Sequence, residues 1–185
     1  MAPRPLVDTG SIIRPRQGSI RMIQDIAVRH HVHLSDRSYD AVVAAFREAV
    51  GSVEEGFDQA AAEVTSREGF EALAHSREGR SGFMSFLPVD HGKWLRWVGI
   101  EGKCVMFVLG NPLIAQTMMR HSMAVGLNVP VRLAIYEDAD GGTRVAYDLP
   151  SSLMSTIHDG RVHDAALKLD AKLIALAEQI SGAKA

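Results

Sequence analysis

The sequence predicts an α+β fold in which one antiparallel sheet carries helices on one face and a long helix closes the chain. Residues 131–136 and 143–148 alternate apolar and polar side chains on either side of Asp138-Ala139-Asp140-Gly141-Gly142, the pattern of a hairpin. Near the C-terminus, Val162, Ala165, Ala166, Leu169, Leu173, Leu176, Ala177 and Ile180 follow one helical stripe, with Asp164, Lys168, Lys172 and Glu178 off it. The order strand, helix, several strands, helix then indicates an antiparallel layer structure.

The first 25 residues hold Pro3, Pro5, Pro15, Gly10 and Gly18 with four arginines, and read as an arm: either a frayed terminus or a segment ordered on a neighbouring subunit, with Leu6, Ile12, Ile13 and Ile23 as anchors. From Ile26 to Leu34 the chain alternates as a half-buried strand, with Ile26, Val28, His30 and Val32 on one face and Ala27, Arg29, His31 and His33 on the other. Ser35 or Ser38 then caps a helix through Tyr39, Val42, Val43, Phe46, Val50 and Val53, which Gly51 ends or kinks.

Two boxes, starting at Ser52 and Thr65, place a hydroxyl three residues before a glutamate and predict two short helices within 52–75. The glycines and charges of 76–82 predict a mobile loop. Residues 51–81 thus read as a helical insertion within a single domain spanning 26–182. Strand character returns at Phe83–Leu87 and in the apolar run Cys104–Leu109, which predicts a central strand buried on both faces. Between them, Trp94 and Trp97 stand at helical spacing. Asn111 before Pro112 predicts a capped helix start, and Gly126 its stop.

At 185 residues, the chain can bury roughly 70% of its unfolded surface and needs no staple. With 46% apolar and 23% charged residues it has the composition of an ordinary globular protein. Its 20 basic and 22 acidic side chains give a formal charge of −2 with no long run of one sign, which disfavours nucleic acid as a partner. No apolar run reaches the length of about 20 residues that spans a bilayer, and no secretory signal opens the chain, so a cytoplasmic protein without a membrane partner is expected. A single cysteine, Cys104, excludes an internal disulfide and reads as core.

The ordered motifs Phe107-Val108-Leu109-Gly110-Asn111-Pro112, Met118-Met119, Gly126-Leu127-Asn128-Val129-Pro130-Val131 and Tyr147-Asp148-Leu149-Pro150 resemble a bacterial and archaeal family, domain of unknown function 302. The resemblance covers 26–50 loosely and 82–180 well. Residues 51–81 depart from it, as does Leu149 between Asp148 and Pro150. It implies a TATA-box-binding-protein-like fold of strand, helix, four strands and helix, and a homo-oligomer, most simply a dimer. It implies no reaction, and the fold would not carry DNA binding with it.

Several groups are candidates for chemistry. His31 and His33 share a strand face and could chelate a metal if a third ligand arrived. His121 falls on the apolar face of Ile114, Met118 and Val125, where an imidazole is either a satisfied core group or an axial haem ligand. Asp90-His91, and Asp148 with His158, could act as acid and base if the fold paired them in a cleft. The Asn111 turn presents a helix N-terminus to an anion.

The leading expectation is a small-molecule-binding or sensing protein, its pocket lying between sheet and helices with Asn111, His121, Tyr136, Tyr147 and His158 at the edges. The alternatives are a haem-dependent or acid-base enzyme and an accessory subunit of a homo-oligomer.

Overall fold

A computed structural model describes residues 22–53 and 56–182. The elements are β1 (His30–Ser35), α1 (Tyr39–Ala49), β2 (Gly51–Ser52), α2 (Phe57–Glu63), α3 (Arg67–Arg77), β3 (Met84–Asp90) and α4 (Gly92–Leu95) in the first half. The second half adds β4 (Cys104–Gly110), α5 (Pro112–Met119), β5 (Val131–Glu137), β6 (Thr143–Asp148), α6 (Pro150–Leu153) and α7 (Gly160–Ser181).

The sheet runs β1-β6-β5-β4-β3-β2. Neighbours are antiparallel from β1 to β3, while β2 runs parallel to β3, so the sheet is mixed and the antiparallel-only expectation is corrected. Parallel neighbours need a long crossover, and α2 and α3 supply it. A strand of two residues shows no alternation, which is why the sequence does not announce it.

α1 and α7 lie against one another on a single face of the sheet. The core beneath them comprises Val105, Phe107 and Leu109 of β4, Leu133 and Ile135 of β5, Val145 of β6 and the α7 stripe. Phe46 of α1 stacks on Phe107 with ring centroids 4.0 Å apart. Among the described residues the other sheet face carries no helix layer of this kind, and along Cys104–Val108 buried and half-buried residues of β4 alternate, contrary to the expectation of burial on both faces.

Strand β1 begins at His30, later than expected, and its polar face is the one that turns inward. Val32 and Leu34 are exposed, whereas His31, His33 and Ser35 are half-buried toward α7. The reason is that α7 offers polar partners there: Ser35 Oγ donates to the carbonyl of Ser181 at 2.6 Å. An edge strand with polar inward residues also resists pairing with a foreign strand.

Neither helix box caps as expected: in the second the cap is Ser66, one residue after Thr65, its Oγ accepting from the Gly69 N–H. Ser52 sits in β2, and α2 begins after Gly56, which is in the left-handed region at φ 74°. The expected loop at 76–82 is in part the last turn of α3, and the remainder is tied down. Ser81 bonds the carbonyl of Ala49 through both its N–H and its Oγ, and Glu78 reaches Asn111. A Cβ on Gly79 would lie 2.4 Å from that same carbonyl oxygen, so the loop is pressed onto the end of α1.

Asn111 caps α5 as expected, its Oδ1 accepting from the Leu113 N–H. The helix ends at Met119, well before Gly126, and a 3-10 turn at Met123–Leu127 follows. The terminal helix matches its stripe and stops at Gly182, φ 72°. Of the expected arm anchors, Leu6, Ile12 and Ile13 lie outside the described residues, and Ile23 is exposed.

Candidate functional site

The cavity with the most apolar lining has about 210 Å³ and lies where the end of β4 meets α5. Its walls are Phe57 from α2, Phe86 from β3, Ile114, Ala115 and Met119 from α5, Val129 to Val131, and Leu169 from α7. The local sequence explains the placement. Gly110 ends β4 on the cavity wall, Asn111-Pro112 turns the chain into α5, and the first residue of α2, Phe57, completes the lining. Phe57 meets Phe86 edge to face, with centroids 6.4 Å apart.

Asn111 is the single polar side chain of this lining, and both its N–H donors are engaged. Its Nδ2 donates to Glu78 Oε2 at 2.5 Å and to the Gly82 carbonyl at 3.0 Å, while Oδ1 holds the helix cap. No side-chain N–H or O–H donor of the lining remains to select a polar ligand. The other residues expected at a pocket edge lie elsewhere. His121 is half-buried in the turn after α5, because the helix stops before reaching it. Tyr136 lies on the open sheet face opposite Cys104, and His158 is exposed in the loop before α7.

Tyr147 is brought together with the two histidines suggested as metal ligands. His33 Nε2 stands 2.9 Å from its hydroxyl and His31 Nδ1 3.4 Å, and the His33 ring stacks on the phenol. Burial, then the nearby carboxylates of Glu178 and Asp170, push the Tyr147 pKa up to about 12. Burial lowers that of His33, with Glu178 opposing and His31 assisting. Among the described residues no three His, Cys, Asp or Glu side chains converge as metal ligands, so the third ligand asked for on chelation grounds does not come from those types.

Asp148 does form a carboxylate–imidazole pair, with a different histidine from the one expected. Its Oδ1 lies 2.8 Å from His30 Nδ1, on the open face, because β1 and β6 pair with His30 opposite Asp148. The two residues are 118 apart in sequence, and the alternation of 26–34 could name His30 as a strand residue without naming its neighbour. Asp90 caps a turn by accepting from the Lys93 N–H, and His91 packs edge-on against Trp94.

A buried carboxylate that sequence reasoning missed is Asp170 of α7. It accepts from the Ser151 N–H at 2.9 Å and from Ser151 Oγ at 2.5 Å, with Arg29 3.5 Å away. It fixes α6 against α7, and its only sequence signal is an acid on the edge of an apolar helical stripe.

An open α+β sheet with one helical face and an apolar cavity at a strand end defines a small-domain class with no reaction attached. The family model described as "Domain of unknown function DUF302" matches residues 30–180, and the chain belongs to that family. An uncharacterized conserved DUF302 protein from Bacillus stearothermophilus, known from a crystal structure, is similar with a TM-score of 0.58 and 16% identity. That similarity covers 82% of this chain and 97% of the other, and it concerns the fold. No curated protein matches the chain. Among the described residues no helix is long and apolar enough to cross a membrane.

Proposed function

We propose that this protein binds a small, apolar molecule in the cavity between Phe57, Phe86, α5 and Leu169. One observation carries the reading: an apolar space of about 210 Å³ whose lone polar side chain, Asn111, has both its N–H donors engaged and its oxygen holding the helix cap. A dry apolar cavity of about 150 Å³ is enough to take up benzene. The ligand class is therefore a single aromatic ring or a short aliphatic chain, recognised by shape rather than by polar contacts. Phe57 belongs to the inserted segment, so the insertion tailors the cavity. The frame itself is TATA-box-binding-protein-like in this reading. That is supported by the order β1, α1, β3 to β6, α7 that remains once β2, α2, α3 and the short helices are set aside.

Titration of the full chain with toluene, followed by methyl NMR, tests the proposal. Saturable shifts at Ile114, Met119 and Leu169 are expected. Ala115→Phe, which places a ring in the cavity, should remove them while leaving the melting transition cooperative. Absence of saturable shifts, or shifts that persist unchanged in Ala115→Phe, sinks the assignment.

A further inference from the structure

A second cleft, of about 380 Å³, opens on the sheet face away from α1 and α7. Its walls include Val108, Leu127 and Leu153, and its polar side chains are Asn128, Arg132 and Asp148. Strand register sets the arrangement. Val108 lies opposite Arg132, and Leu133 lies opposite Tyr147, which puts Arg132 opposite Asp148; Asp148 in turn lies opposite His30. An apolar side chain, a cation, a carboxylate and an imidazole thus follow one another in a single row across four adjacent strands.

Directly opposed side chains have Cβ atoms about 5 Å apart, yet Arg132 and Asp148 form no ion pair. Asp148 turns its Oδ1 to His30, at 2.8 Å, which leaves Oδ2 open to the cleft. Arg132 makes no side-chain hydrogen bond or ion pair among the described residues. A guanidinium and a carboxylate oxygen, each unclaimed, therefore stand side by side next to an apolar wall.

We propose that this cleft binds an apolar α-amino acid as its zwitterion. The carboxylate meets the Arg132 guanidinium, which matches it with paired donors, and the Asn128 amide adds a contact. The ammonium meets Asp148 Oδ2, and the side chain lies on Val108, Leu127 and Leu153. Charge complementarity selects this occupant: a simple anion would face Asp148, a simple amine would face Arg132, and a zwitterion satisfies both. His30 acts as a positioning residue by holding the Asp148 carboxylate in place. The inference uses a different surface from the apolar cavity and does not depend on it.

The test is calorimetric and NMR titration of the full chain with L-leucine, 4-methylpentanoate and 3-methylbutylamine, which share one hydrocarbon body. Leucine should bind saturably, and each single-charge analogue about tenfold or more weakly, since each lacks one charge-assisted contact. In Arg132→Gln, leucine should fall to the affinity of the amine. Arg132 is exposed and lies off the helix-side core, so this variant should keep the wild-type melting transition. Lack of saturable binding at about 10 mM leucine, or an unchanged affinity in Arg132→Gln, overturns the assignment. So does self-association through this face that leucine fails to displace, which would make a second copy the occupant.

Discussion

Tyr147 concentrates more interactions than any other side chain on the β6 side of the core. The residue is 3% exposed, and its hydroxyl touches both inward-facing histidines of β1. Burial and two carboxylates favour the neutral phenol, and Tyr39 is likewise raised to about 12, by burial and then Asp90. A pKa above the unfolded value near 10 means that the folded state holds its proton longer. The associated stability is complete below about pH 10 and is lost as pH climbs through about 12. Absorbance at the tyrosinate band should therefore show two of the three tyrosines titrating together with alkaline unfolding. Tyr147→Phe should remove one of them and cost about 1 kcal/mol at neutral pH for the lost hydroxyl bonds. A Tyr147 that ionises near 10 in the folded protein contradicts the burial argument. His33 acts in the opposite pH range. Its lowered pKa means that the fold prefers the neutral ring, so this contribution is present above about pH 6.5 and fades as pH falls below it. An NMR titration of the His33 ring should give a midpoint below that of an unfolded histidine.

Among the elements, the join between β4 and α5 depends on Asn111, which caps the helix and ties the 78–82 loop to it. Asn111→Ala should lower stability by about 2 kcal/mol, a cap plus the lost Glu78 and Gly82 bonds. Asn111→Asp keeps the cap acceptor but sets a carboxylate where Nδ2 faced Glu78 Oε2 at 2.5 Å. It should be at least as damaging at pH 7, since two carboxylates then face each other; thermal melts of the two variants check this. Elements with a long period were legible in the sequence: the 131–148 hairpin, the 162–180 stripe and the Asn111-Pro112 start all stand where alternation, spacing and capping put them. Elements set by tertiary partners were not. Strand β2 is two residues long and exists because β3 pairs with it, and β1 hides its histidines because Tyr147 and Ser181 offer them and Ser35 partners. The candidate site divides along the same line. Asn111 was readable from a local motif, whereas Phe57 and Leu169 meet only through packing, and His30 finds Asp148 only through strand register.

The molecule as a whole has two hydrophobic clusters of unequal size, and its cooperativity should reflect them. The main one joins α1, β4 to β6, α5 and α7, with Phe83 from the residue before β3. The smaller has Val53, Phe57, Ala74 and Met84 as its buried members and links α2 and α3 to β3 and α5. Helix α2 is seven residues long, starts at a glycine without a side-chain cap, and has Phe57 as its buried residue. So short a helix is marginal by itself and persists through packing, so Phe57 is its principal anchor. Regions with few buried apolar contacts open at lower free energy than the global transition. Native-state hydrogen exchange should therefore show α2 amides exchanging through a sub-global opening, while amides of β4, β5 and α7 exchange only on complete unfolding. Phe57→Ala should speed exchange across α2 and weaken toluene uptake, yet change protection in β5 by much less. Equal loss of protection in α2 and β5 would mean that the insertion folds as one unit with the sheet, and that the cavity wall is as rigid as the core behind it.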